Sequence, residues 1–294
     1  MDGVDVDGLN ILKNVSIIGM TDDVVIDARN SGRILKIQGN NVLLSNIIFK
    51  NGNVSSASDK RGAAIWANQT TLTIDNCQFI NNTAGSTGST YGAAVNLKVT
   101  TTTIKNSLFD GNSAVYSGAV NAEKGNHLLN VSNSVFINNV VYNTGNYAVG
   151  GGIAAYGQTI VDRSTFYGNK VTKDNNGRSI KQYDGYLTLT NSIILDGLGA
   201  VNIKDPANAT LINNWWGQND TTKDLTPKEL NLTNAEVDSY LYLTLSTSAS
   251  KFETTRPISI DIKFISQDTV DLVDVPASVS SNDGTLDKDT LTLV

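Results

Sequence analysis

The chain has 294 residues, of which 17% are charged, and a net charge of -6 with a pI of about 4.8. Its 22 lysines and arginines form no basic run, which argues against the clustered positive footprint of a nucleic-acid-binding protein. No apolar stretch approaches the roughly 18 residues of a spanning helix, so no membrane span is expected, and the single cysteine, Cys77, excludes a disulfide framework and reads as a buried inert thiol.

From the start, Asn14-Val15-Ser16-Ile17-Ile18-Gly19 followed by Val24-Val25-Ile26-Asp27 reads as an incomplete first coil of something repetitive. The repeat then becomes explicit. A phrase of apolar, polar, Asn, any, any, Phe runs through Asn46 to Phe49, Asn76 to Phe79, Asn106 to Phe109 and Asn133 to Phe136. It continues with Arg163 in the asparagine place before Phe166 and ends degraded at Asn191 to Ile194. The phenylalanines lie 30, 30, 27 and 30 residues apart, with Ile194 28 further on. A fixed period of this size means stacked units, because one unit alone cannot bury its own apolar face.

Period-two alternation precedes each phrase, as in Leu72-Thr73-Ile74 and Leu187-Thr188-Leu189, which is strand patterning without a helical stretch beside it. A second landmark is a step of small residues ending in an aliphatic: Gly62-Ala63-Ala64-Ile65, Gly92-Ala93-Ala94-Val95, Gly118-Ala119-Val120, Gly150-Gly151-Gly152-Ile153 and, weakly, Gly177-Arg178-Ser179-Ile180. From that aliphatic to the next phenylalanine position the chain takes 13 to 16 residues, whereas the return to the next small step varies from 11 to 17. The constant part is the frame and the variable part a loop emerging on one edge of every coil. Together these predict an all-β fold, a right-handed parallel β-helix over residues 10–217, with coils about 4.8 Å apart. The phenylalanines should form an internal ladder, and the asparagine before each should face inward, turn a corner and bond along the stack.

Asn213-Asn214-Trp215-Trp216-Gly217 follows as a bare coil, its tryptophans suited to covering the open apolar end. Residues 218–239 read as a linker, in which Thr226-Pro227-Lys228-Glu229 predicts a short helical turn. Beyond Tyr240, alternation in Leu241–Leu245 and Ile258–Ile262 predicts a partial immunoglobulin-like β-sandwich over 240–294, broken off within a longer protein.

Chemistry is sparse. Along the strand after each small step the outward residues are Trp66, Asn96, Asn121, Ala154 and Lys181, then Asn68, Lys98, Glu123, Tyr156 and Tyr183, with no acidic cluster among them. Lys98 and Glu123 should be neighbours on adjacent coils. Asp22-Asp23 is the one adjacent acidic pair of the repeat region and reads as a solvated turn, not as the paired carboxylates of a glycosidase. Asp5-Val6-Asp7-Gly8 lacks the remaining ligands of a Ca²⁺ loop, and His127 has no metal-spaced companion. No catalytic, metal or cofactor site is assigned. Tyr156 and Tyr183 share one outward position on consecutive coils, so their rings should stack and meet a sugar; Trp66 is the third candidate for glycan contact. Eight glycosylation sequons stand at Asn14, Asn53, Asn68, Asn81, Asn130, Asn208, Asn219 and Asn231.

The small steps alternating with Phe-x-x-Asn, from Phe79 to Asn82, Phe109 to Asn112, Phe136 to Asn139 and Phe166 to Asn169, resemble the repeats of chlamydial polymorphic membrane proteins. The order of repeats, Asn214-Trp215-Trp216-Gly217 and later strands is more similar to adhesin-like surface proteins of methanogenic archaea, where a β-helix of the pectate-lyase-like superfamily precedes immunoglobulin-like repeats. The resemblance implies a non-catalytic extracellular glycoprotein of the cell surface, with glycans or proteins of other cells as partners and no cofactor. The alternative it leaves is a polysaccharide lyase or glycoside hydrolase of the same superfamily.

Overall fold

The computed structural model describes residues 8–21, 23–125, 128–142, 150–172, 177–218, 225–247, 260–265, 275–278 and 290–293. Asp5, Asp22, His127 and the sequon residue Asn219 lie outside the described residues.

The chain winds as a right-handed parallel β-solenoid with three faces. One sheet stacks Leu9–Ile11, Leu35–Gln38, Ile65–Asn68, Val95–Lys98, Val120–Ala122, Ile153–Ala155, Ile180–Gln182 and Val201–Ile203. A second runs from Val15–Ile18 through Thr71–Asp75 and Leu128–Ser132 to Asn208–Ile212, and a third from Val25–Asp27 through Gln78–Ile80 to Ile193–Ile194. Every pairing in these sheets is parallel and in register, so Phe49, Phe79, Phe109, Phe136 and Phe166 lie directly above one another. All five are fully buried, with ring centres 5.2, 4.8, 4.6 and 4.9 Å apart along the column. One interstrand spacing therefore also satisfies ring stacking.

Two buried polar ladders flank this column. Asn82, Asn112, Asn139 and Asn169 pass a hydrogen bond from side-chain amide to the next side-chain oxygen at 2.9 to 3.0 Å, and each amide also donates to the carbonyl of Phe49, Phe79, Phe109 or Phe136. In the other ladder the backbone N–H of Cys77, Ser107, Ser134 and Ser164 donates to the serine hydroxyl one rung on, and Ser192 N–H donates to Asn214 Oδ1. Both ladders pair groups that would otherwise be buried without partners.

The asparagines of the repeated phrase differ from expectation. Asn46, Asn76, Asn106, Asn133, Asn191 and Arg163 all adopt φ between 45 and 56°, and this left-handed corner turns their side chains outward instead of inward. They bond along the outer surface, Asn76 to Asn46 and Asn106 to Asp75. Arg163 fits because its guanidinium lies against Asp162 at 2.8 Å, and Asp162 accepts from Asn191 in its stead. The small steps have a backbone reason: Gly62 has φ of 60°, and a Cβ there would stand 2.1 Å from the carbonyl oxygen of Ile65.

The far end is longer than expected. Within the supposed linker, Ala235–Val237 pairs in parallel with Ala209–Leu211, and Tyr240 bridges to Asn214, so the solenoid continues past the tryptophans. Three residues of alternation are too few to read as a strand in isolation. Trp216 sits in the core with Leu225, Leu230 and Leu232, so the cover over the stack is shared with this segment. Thr226 Oγ1 accepts from the Glu229 N–H as anticipated, but the segment closes as a turn, with Leu232 N–H bonded to the Pro227 carbonyl. Beyond it, Tyr242–Thr247 pairs antiparallel with Ile260–Ile265, and Val275–Ser278 with Thr290–Leu293. These two ribbons do not make an immunoglobulin-like sandwich among the described residues.

Candidate functional site: a tyrosine-walled cleft

The first sheet ends, rung by rung, at Ala122, Ala155, Gln182 and Ile203, and the next residues, Glu123, Tyr156, Tyr183 and Lys204, form a column. Each is fixed by its backbone N–H, which donates to the rung below at 2.8 to 3.2 Å. A facing column comes from the residues just before the small steps. Arg61 bridges to Tyr91, and Tyr116 N–H donates to the Thr90 carbonyl. Between the columns lies a cleft of about 580 Å³, with Asn121 and Lys124 completing its lining.

Two tyrosine pairs dominate it. Tyr156 and Tyr183 stack with ring centres 4.8 Å apart and planes 10° from parallel; Tyr91 and Tyr116 do so at 4.9 Å and 18°. Each ring thus covers one face of its neighbour. The ammonium groups of Lys181 and Lys204 lie over the Tyr183 ring, 5.5 and 5.9 Å from its centre. Tyr183 thus has stacking and cation contacts, while Tyr91, Tyr116 and Tyr156 each have one face covered by a neighbouring ring. Burial lifts the hydroxyls of Tyr91, Tyr156 and Tyr183 above the ordinary phenol range, Tyr183 most, so they stay neutral and can both donate and accept.

The carboxylate of Glu123 is engaged within the protein. It accepts from Arg61 at 3.1 Å and from Asn96 at 2.7 Å, and Asn121 donates in turn to Asn96. Arg61 is held charged chiefly by its hydrogen bond to Asp59 at 2.6 Å, with Glu123 adding to this against the effect of burial. Glu123 therefore pairs with Arg61 and not with Lys98, which is exposed.

The other sequence candidates fall elsewhere. Trp66, 7% exposed, lies under Lys36 and Arg61 and outside the lining of the cleft, so its ring is not offered to a ligand. Asn96, Asn121, Ala154 and Lys181 are likewise buried although they point away from the core. Asp23 accepts from Thr21 in an exposed turn. Cys77 is buried and its thiol is pushed up to about 11 by burial. Among the described residues no group of three or more His, Cys, Asp or Glu is placed to hold a metal ion. Of the sequons, Asn14, Asn81, Asn208 and Asn231 are exposed, Asn53 and Asn68 half-buried, and Asn130 lies mid-strand; Asn14 Oδ1 accepts from the Asn41 backbone.

Sequence reasoning missed Arg61, Tyr91, Tyr116, Lys124 and Lys204. The signal for two of them was their place immediately before Gly62 and Gly92.

The architecture is consistent with the pectate-lyase-like β-solenoids. Comparison with protein-family models, curated proteins and solved structures finds no match.

Proposed function

We propose that this chain is a non-catalytic, extracellular, adhesin-like protein of the cell surface that binds glycans through the tyrosine-walled cleft. The observation that carries this reading is the facing pair of tyrosine stacks, which line one cleft with hydroxyl donors on a frame held rung by rung. A rigid row of tyrosines with their hydroxyls suits a saccharide, whose own hydroxyls need directional partners. The engagement of Glu123 by Arg61 and Asn96 favours binding over hydrolysis, because a general acid or nucleophile must be able to reach the glycosidic bond. The exposed sequons Asn14, Asn81, Asn208 and Asn231 suit a glycosylated exterior, and the antiparallel strands beyond Tyr240 suit an immunoglobulin-like spacer.

A glycan array with the purified chain, with and without Ca²⁺, tests the reading when bound and released saccharides are weighed by mass spectrometry. Intact glycans retained by the protein and lost with Tyr156→Ala support it. Shortened or unsaturated products would instead establish a lyase or hydrolase.

A further inference from the structure

Resting on that reading, we infer that the ligand of the cleft is an acid-bearing saccharide, whose carboxylates or sulfates are taken by Lys124 and Lys204. The chain as a whole is acidic, with a net charge of -6, yet the lining carries three cations, Arg61, Lys124 and Lys204, against the one carboxylate of Glu123. Arg61 is already engaged by Glu123 and Asp59. Lys124 and Lys204 have no ion-pair partner among the described residues, and both are exposed at the cleft. Positive charge concentrated in a concave site on a negative molecule draws anions to that site and away from the remaining surface.

The tyrosines point the same way. Tyr156 and Tyr91 each have one face stacked against Tyr183 and Tyr116, and Tyr183 carries ammonium groups over its ring, so cations stand beside the aromatic wall. The phenol hydroxyls in the lining are neutral and can donate to the oxygens of an anion. Phenol donors beside the ammonium groups of Lys124 and Lys204 describe a site for an anion. Lys204 follows the strand Val201–Ile203 and Lys124 follows Glu123, so the two ammonium groups stand on rungs either side of the Tyr156–Tyr183 pair.

The test uses four immobilised hexasaccharides of one backbone: cellohexaose, its C6-oxidised glucuronate form, the methyl ester of that form and a C6-sulfated form. Retention of the oxidised and sulfated forms, with the neutral and esterified ones washed away, is the expected result, and the two acidic forms tell carboxylate from sulfate. Lys124→Gln and Lys204→Gln should each weaken the acidic ligands about threefold, and together about tenfold, as exposed ion pairs do. Affinity should also fall between 50 and 500 mM salt. Equal retention of the neutral form, or acidic binding indifferent to both substitutions, overturns the inference and leaves glycan binding standing. No retention of any of the four, with the wider array also blank, overturns both.

Discussion

Asn169 donates both its backbone N–H and its side-chain amide to the carboxylate of Asp196, at 3.0 and 2.9 Å, so that an acid ends a ladder otherwise built from asparagine. Ser179 Oγ donates to the same carboxylate at 2.7 Å. Burial raises the Asp196 pKa above the ordinary carboxylate value, against the pull of these donors. A carboxyl with a higher pKa in the folded than in the unfolded state binds its proton more tightly when folded. Its contribution to stability is thus fullest below the unfolded value and is lost as pH rises through the folded one. Asp196→Asn would put there the group already found at Asn112 and Asn139. We expect it to flatten stability against pH above 4 and to add about 1 kcal/mol at neutral pH, since it removes a buried charge. Urea denaturation at several pH values checks this, and a less stable variant at pH 7 would refute it.

Asn139 offers the complementary experiment. Asn139→Ala would strip the acceptor from the N–H and amide of Asn112, and the donor from the Phe109 carbonyl, all buried. A loss of about 3 kcal/mol is expected from groups left unsatisfied, whereas Asn76→Gly, which keeps the left-handed corner and removes only a side chain on the outer surface, should change stability by about 0.5 kcal/mol or less. Equal losses in the two variants would mean that the ladders had been misjudged.

The aromatic column makes its own demand. Phe109→Ala opens a cavity between two stacked rings and should lower the unfolding free energy by about 3 to 5 kcal/mol, read from denaturant midpoints.

Cys77 occupies a serine place. Ser107 and Ser134 at the same position donate back to the carbonyl two residues earlier, as the thiol of Cys77 does to Asp75. Cys77→Ser should therefore alter stability by about 0.5 kcal/mol or less. With its thiol pushed up to about 11 and buried, Cys77 should resist iodoacetamide at pH 8 until the chain is unfolded. Rapid labelling of the native protein would contradict the packing.

Arg61 restrains the charge of the cleft. Arg61→Ala releases Glu123 into the site and should weaken acid-bearing saccharides by about tenfold, the worth of a lost favourable charge and a newly freed repulsive one; Arg61→Lys should recover part of this. Competition binding at 50 mM salt measures both.

The spacing of the phenylalanines was enough to read the solenoid, its in-register column and the shared outward place of Tyr156 and Tyr183, because a strict repeat leaves few ways to stack. Alternation failed at the corner asparagines, since a residue at positive φ breaks the in-out parity on which it depends. It failed again at Trp66 and Asn96, where pointing away from the core did not mean exposure. The wall formed by Arg61, Tyr91 and Tyr116 was hidden for a different reason: those residues differ in type, and Tyr116 sits one place out of step in the 27-residue rung.

That shorter rung carries a lesson about how such a molecule can change. Between Phe109 and Val120 the chain takes 11 residues where its neighbours take 16 and 17, yet the phenylalanine column, both polar ladders and the Tyr91–Tyr116 pair pass through it unbroken. The interior counts rungs, not residues. Length can be gained or lost on the outer edge of a coil without the frame registering it, so the outer margin of the cleft is free to be rewritten while its tyrosines stay in line.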